Sequence, residues 1–228
     1  MRQHTDREFD QQLRSRREQV LLMGQTVEDM IAGGIQALVD RDSDQARRVM
    51  DQDARVDQLE RENDDVCLRL LARWNAGDTE LRFITTALKV VTDLERIGDL
   101  AAHIGRRALE LNAEPDLAPH VDLSHMGALA RWMVHHVLEA FLSGDVDVAR
   151  EVIEQDVVLD GFHTRISAEL ESYMMQDPRN IHAATRVQSI ARSLERIGDH
   201  ATNVAEMVVF MTRGEDIRHQ GRKRRTEH

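Results

Sequence analysis

The six residues LERIGD stand at 94–99 and again at 194–199. An identical hexapeptide one hundred positions apart constrains the fold more than any other feature of the chain. It implies that one unit of about a hundred residues is built twice. Other landmarks keep nearly the same step. Asp42-Ser43-Asp44-Gln45-Ala46 is answered by Asp145-Val146-Asp147-Val148-Ala149, displaced by 103. The second copy is therefore slightly shorter around the turn that lies between these landmarks.

Each unit reads as three helices. Only 4% of residues are aromatic and 31% are charged, with three prolines in 228 residues. That is a composition of strong helix formers with little punctuation. The apolar spacing predicts helices over about 6–40, 45–74 and 80–112, then 123–142, a fifth ending near 176, and 181–212. In the first, Phe9, Leu13, Val20, Met23, Val27, Met30, Ile31 and Leu38 face inward. Asp42-Ser43-Asp44 ends it, and Asp44 is expected to cap the second helix. Gly77-Asp78-Thr79, Gly144-Asp145-Val146-Asp147 and Asp177-Pro178 mark further turns. Glu114-Pro115-Asp116-Leu117-Ala118-Pro119 places two prolines four residues apart, which no helix can continue through. The expected fold is all-α: two tandem three-helix bundles, 1–113 and 123–214, joined by a linker at 114–122 and followed by a basic tail at 215–228.

The repeated hexapeptide divides by chemistry. Val90, Leu94, Ile97, Ala101, Ile104, Ala108 and Leu111 step by four and three, as do Ile190, Leu194, Ile197, Ala201, Val204, Val208 and Met211. That is the pattern of a bundle seam, so Leu and Ile of the repeat are packing residues. Glu95 and Asp99 are four apart, on one helical face and off the seam. Glu195 and Asp199 repeat them. Like charges at that spacing repel by a few tenths of a kcal/mol, and something should offset it. Each middle helix offers a second pair, Asp53 with Asp57 and Asp156 with Asp160. Both flank their seams (Val49, Val56, Leu59, Val66, Leu70; Val152, Leu159, Phe162, Ile166, Tyr173) in the same register. If the helices pack antiparallel, four carboxylates converge on one ridge in each half.

All-carboxylate clusters suit hard cations such as magnesium, calcium, manganese or iron, and suit zinc less well. The candidate metal ligands are thus Asp53, Asp57, Glu95, Asp99, Asp156, Asp160, Glu195 and Asp199. The competing account is a solvated acidic face paired with Arg96 and Arg196. His103, His163 and His200 stand nearby, although a lone helical histidine is more often a core or surface residue. Gly98 and Gly198 each cost about 1 kcal/mol against alanine within a helix. Each is expected to let the middle helix approach closely.

The remaining features exclude more than they assign. A net charge of −11 argues against a nucleic-acid binder. The cluster Arg222-Lys223-Arg224-Arg225 reads as a solvated tail, and the single cysteine, Cys67, as a small buried hydrophobe. The charged first twenty residues do not resemble a signal peptide, and no apolar run approaches the ~18 residues of a spanning helix. A cytoplasmic protein is expected. No glycine-rich phosphate loop, no Ser/His/Asp set and no Cys/His nucleophile pattern is present. Neither catalytic residues nor an organic cofactor site is expected.

Several segments resemble the PhoU family of phosphate-transport regulatory proteins. They are Phe9-Asp10-x-x-Leu13 with Met23-Gly24, both copies of LERIGD with the second extended to LERIGDHATN at 194–203, and FMTRGEDIRH at 210–219. The likeness covers about 9–219, and LERIGDHATN is its most specific part. It implies two similar three-helix bundles side by side, with metal clusters at [DE]-x-x-x-D motifs that fall on the eight carboxylates above. It further implies a negative regulator of the phosphate-starvation response and of phosphate uptake. Such a protein connects the ATPase subunit of a phosphate ABC transporter to a sensor histidine kinase, forms a homodimer, and meets the membrane only through its partners. One loop departs from the family. At Arg73-Trp74-Asn75-Ala76-Gly77-Asp78-Thr79-Glu80-Leu81-Arg82 the Leu-Arg pair stays and the usual proline is gone, with Trp74 standing as a possible partner contact. The alternatives are a metal-dependent phosphohydrolase and a metal-buffering bundle.

Overall fold

A computed structural model describes residues 2–73, 77–115, 121–215 and 217, with side chains from residue 11 onward except at 73. Trp74, most of the linker and the basic cluster at 222–225 lie outside the described residues. Among the described residues there are six α-helices: α1 (Arg2–Val39), α2 (Ser43–Arg73), α3 (Asp78–Asn112), α4 (Leu123–Ser143), α5 (Val146–Gln176) and α6 (Ile181–Arg213). The chain is all-α, as its periodicity predicts. One element escaped that periodicity, a single 3₁₀ turn at Pro178–Asn180. Proline needs no N–H at the first helical positions, and Asp177 accepts the Arg179 N–H there.

Both α1–α2 and α4–α5 corners are tied by an aspartate. Asp42 Oδ1 accepts the backbone N–H groups of Asp44 and Gln45, each at 2.9 Å. Asp145 Oδ1 accepts those of Asp147 and Val148. The cap of α2 is therefore Asp42 and not Asp44. A capping oxygen must precede the first-turn N–H groups it satisfies, and Asp44 lies inside that turn. The turn is reached through Arg41, a non-glycine residue with φ of 53°, a conformation that is costly for a Cβ-bearing residue. Its guanidinium donates to the carbonyls of Asn112 at 3.1 Å and Glu114. Those are carbonyls at the end of α3 with no partner inside that helix, so the strained turn also closes α3.

The internal repeat organises the packing. α1, α2 and α3 pack together, as do α4, α5 and α6. The halves meet through α1 on α4 and through α3 on α6. Each of these contacts pairs an element with its own counterpart, so the interface has the character of a two-fold axis within one chain. The residues obey it. A Cβ on Gly24 would lie 2.2 Å from Leu138 Cδ1, and one on Gly127 would lie 2.7 Å from Ile35 Cγ1. Gly24 matches Gly127 and Ile35 matches Leu138 under the same displacement of 103. Each glycine accepts an aliphatic side chain from the opposite half, and α1 and α4 approach closely at both points.

Both LERIGD seams are core. All seven α3 seam residues are buried, and so are all of α6 except half-buried Met211. Cys67 is buried, as expected. At ~25 cal/mol per Å² of apolar area removed from water, such an interior supplies the main drive for folding. The middle helices α2 and α5 touch only their own half and run along opposite flanks. The carboxylate pairs therefore lie at the α2–α3 and α5–α6 seams, and Asp99 also borders the α3–α6 joint between halves.

Candidate metal-binding ridges

The geometry of each ridge follows from one contact. A Cβ on Gly98 would stand 3.0 Å from Val56 Cγ1, and one on Gly198 would stand 2.3 Å from Leu159 Cδ2. Val56 lies between Asp53 and Asp57, and Gly98 between Glu95 and Asp99. Leu159 and Gly198 are framed in the same way by Asp156, Asp160, Glu195 and Asp199. An aliphatic side chain of the middle helix thus seats on the glycine of the third. The two carboxylate pairs of each half are brought face to face around it. The Gly198 position is also only 3.5 Å from Asp156 Oδ1.

The electrostatics register this approach. Burial pushes the Asp53 carboxyl above its usual range, and Asp99 and Asp57 push it further. Burial likewise raises Glu95, followed by Asp99, while Arg96 pulls it back and Glu60 and Asp57 add to the rise. In the second half burial raises Glu195, Asp199 and Asp160 add to it, and His163 and Arg192 oppose it. Repulsion across two helices is the mark of carboxylates held close with too little positive charge between them. Asp156 is buried, at 8% exposure. Arginine supplies part of the balance in the first half. Arg96 lies 3.3 Å from Glu95 and 3.1 Å from Asp99, and Arg61 lies 3.8 Å from Asp57. These cations are mostly exposed, and such pairs contribute little.

Two residues join the ridges that the [DE]-x-x-x-D template does not contain. Glu60 adds a fifth acid to the first half, its carboxyl raised by burial, Asp64 and Asp57. Its spacing was the available signal: Glu60 follows Asp57 by three and Asp53 by seven, the same helical face. Its counterpart 103 residues on is His163, near enough to Glu195 to offset part of its charge. The halves therefore differ: one ridge is all oxygen and the other includes an imidazole. The other two histidines stand elsewhere. His103 Nδ1 meets Ser193 Oγ at 3.0 Å and His200 Nδ1 meets Asp93 Oδ1 at 2.8 Å, both in the α3–α6 seam.

The donor set of each ridge has the chemistry of a hard-cation site. Among the described residues, no three His, Cys, Asp or Glu side chains converge on one point as they stand. A coordination sphere at either ridge would need the carboxylate side chains to adopt other rotamers.

Comparison with known proteins follows the duplication. A family model described as the PhoU domain matches residues 20–108 and again 123–208. The phosphate-specific transport system accessory protein PhoU homolog of Pseudomonas putida is 41% identical over 98% of this chain and 88% of that protein. The phosphate-specific transport system accessory protein PhoU of Escherichia coli K12 is 35% identical over 97% of this chain and 92% of that protein. The crystal structure of PhoU from Pseudomonas aeruginosa superimposes with a TM-score of 0.88 at 39% identity, covering 91% of this chain and all of that one. That of the phosphate transport system regulatory protein PhoU from Streptococcus pneumoniae gives 0.84 at 29% identity, covering 92% and 99%.

Proposed function

The chain belongs to the PhoU family, and from that membership we propose that it acts in phosphate transport as a negative regulator of phosphate uptake and of the phosphate-starvation response. The observation that carries this is the likeness over nearly the whole chain to proteins named as accessory and regulatory components of phosphate transport. Its action is binding rather than turnover. It works as an adaptor between the ATPase subunit of a phosphate ABC transporter and a sensor histidine kinase, as a homodimer in the cytoplasm. No helix among the described residues is long and apolar enough to cross a membrane, which agrees with contact to the membrane through partners only.

The ridges would hold hard metal ions, magnesium, manganese or iron ahead of zinc. Asp53, Asp57, Glu95 and Asp99 serve one half, and Asp156, Asp160, Glu195 and Asp199 the other. A bound cation supplies the positive charge that the raised Asp53, Glu95 and Glu195 carboxyls call for. Val56 on Gly98 and Leu159 on Gly198 align α2 on α3 and α5 on α6, and a cation at each ridge would join the outer helix to the central one. A protein that reports through its surface needs those outer helices held in one position.

The decisive experiment is genetic and biochemical together. Deleting the gene should leave a phosphate-starvation reporter active in phosphate-rich medium, and the wild-type chain should silence it. The purified chain should retain the transporter ATPase subunit and the kinase. A reporter indifferent to the deletion overturns the regulatory role. Sustained hydrolysis of a phosphate ester by the metal-loaded protein, abolished in Glu195→Ala, would replace it with a hydrolase.

A further inference from the structure

The α3–α6 seam is basic at one end, in contrast to the carboxylate ridges. A groove of about 430 Å³ opens there, lined by Arg96, Asp99 and His103 from α3 and by Arg192, Ser193 and Arg196 from α6. Three guanidiniums meet one carboxylate, in a chain whose net charge is −11. That carboxylate, Asp99, is already ion-paired with Arg96 at 3.1 Å. Arg192 and Arg196 are exposed, and Arg192 also offsets the charge of Glu195.

The floor of the groove is rigid. Arg107 Nε donates to His103 Nε2 at 3.2 Å, which places the imidazole proton on Nδ1. That N–H donates to Ser193 Oγ at 3.0 Å. The Ser193 hydroxyl, 3% exposed, donates to the Ser189 carbonyl at 3.0 Å. The network uses both imidazole nitrogens and the serine hydroxyl, so the donors left for a ligand are the arginines at the rim. The His103 ring reports the field there. Burial depresses its pKa first, and Arg107, Arg106 and Arg196 depress it further against Glu110.

The repeat supplies an internal comparison. α3 and α6 run antiparallel, so the seam has two equivalent ends. At the other end the counterpart of Ser193 is Asp93, that of Arg192 is Thr92, and those of Arg106 and Arg107 are Glu206 and Met207. Asp93 is occupied by His200 at 2.8 Å. The groove at that end, about 480 Å³, is lined by Asp64, Asp93 and Glu206 with Lys89 as its cation. One fold thus presents two matching grooves with opposite charge. Packing cannot explain that difference, because both ends pack alike.

We propose that the basic groove binds a multiply charged oxyanion, the phosphate group of orthophosphate or of a nucleoside polyphosphate, between the guanidiniums of Arg96, Arg192 and Arg196. Guanidinium forks match tetrahedral oxyanions two oxygens at a time, and a groove with low-dielectric walls concentrates anions. The site draws on both halves of the chain. It also shares Arg96 with Glu95 and Asp99, so an anion that engages Arg96 weakens the arginine's hold on the first carboxylate ridge. The inference does not rest on metal binding.

Isothermal titration of the chelator-dialysed full chain tests it, first with orthophosphate and then with ATP. One anion or the other binds at a single site, and which one does so identifies the source of the phosphate group. Arg192→Gln and Arg196→Gln each weaken binding by about tenfold or more, the scale of one charge-assisted hydrogen bond. Arg192→Lys, which keeps the charge but loses the fork, falls between. Lys89→Gln at the opposite end leaves affinity unchanged. The proposal is overturned if neither anion binds the chelated protein, if binding requires added metal, or if both arginine-to-glutamine variants bind as well as wild type. Circular dichroism of the variants checks that their exposed substitutions leave the helices intact.

Discussion

The contact of Leu159 with Gly198 can be tested by a double-mutant cycle. Gly198→Ala would place a methyl 2.3 Å from Leu159 Cδ2 and 3.5 Å from Met133 Cε. Overpacking of that kind costs about 1–3 kcal/mol, while alanine gains about 1 kcal/mol in helix propensity. The net cost is about 0–2 kcal/mol. Leu159 is fully buried, so Leu159→Ala costs about 2–5 kcal/mol. In the double variant the new methyl no longer meets the leucine and fills part of the space it leaves. The pair should then be more stable than the sum of the singles by about 1–3 kcal/mol, well beyond the ~0.5 kcal/mol scatter of independent sites. Guanidinium denaturation of metal-free protein, followed by circular dichroism with linear extrapolation, measures each corner. Additive singles would refute the reasoning, because Gly198 would then not be there to admit Leu159.

Three further outcomes follow from the same geometry. Gly98→Leu sets a branched side chain against Val56, whose own position is stiff, and should weaken metal binding at the first ridge more than it lowers stability. Equal metal affinity, measured by titration, would contradict the role given to that glycine. Glu195→Gln should stabilise metal-free protein at pH 7. The folded state holds the Glu195 carboxyl above its ordinary 4.5, so the ionised group disfavours folding above the folded pKa, and that cost disappears as pH falls to the ordinary value. The gain should therefore shrink between pH 7 and about pH 4.5, and a gain independent of pH would assign it to something other than ionisation. Asp42→Ala and Asp145→Ala should each lower stability by about 1 kcal/mol. A marked inequality would show that the two corners are not equivalent.

Much of the candidate site was legible in the chain. The Asp and Glu pairs at i and i+4 fix which side chains share a helical face, and the displacement of 103 aligns the middle helices without any coordinates. Glu60 and His163 were harder to read, because their membership depends on how far α2 and α5 extend along the third helices. The cap at Asp42 was misplaced by two residues, since the left-handed Arg41 that positions it leaves no mark in hydrophobic periodicity. Gly24 and Gly127 carry no signal in the helical periodicity, and only the tertiary structure seats Leu138 and Ile35 on them.

Helical periodicity and an exact repeat are local properties, and local properties are what a sequence states directly. By itself the chain determined six helices, the two-unit plan, the seams of α3 and α6, and the pairing of carboxylates by face. Which helices of the two halves meet is a different kind of question. Every amphipathic helix here could bury its stripe against several partners, and only the summed packing of α1 on α4 and α3 on α6 selects one. That choice sends α2 and α5 with their carboxylates to opposite flanks. It also brings Arg96 beside Arg192 and Arg196, residues nearly a hundred positions apart, whose common groove no spacing rule along one helix reveals.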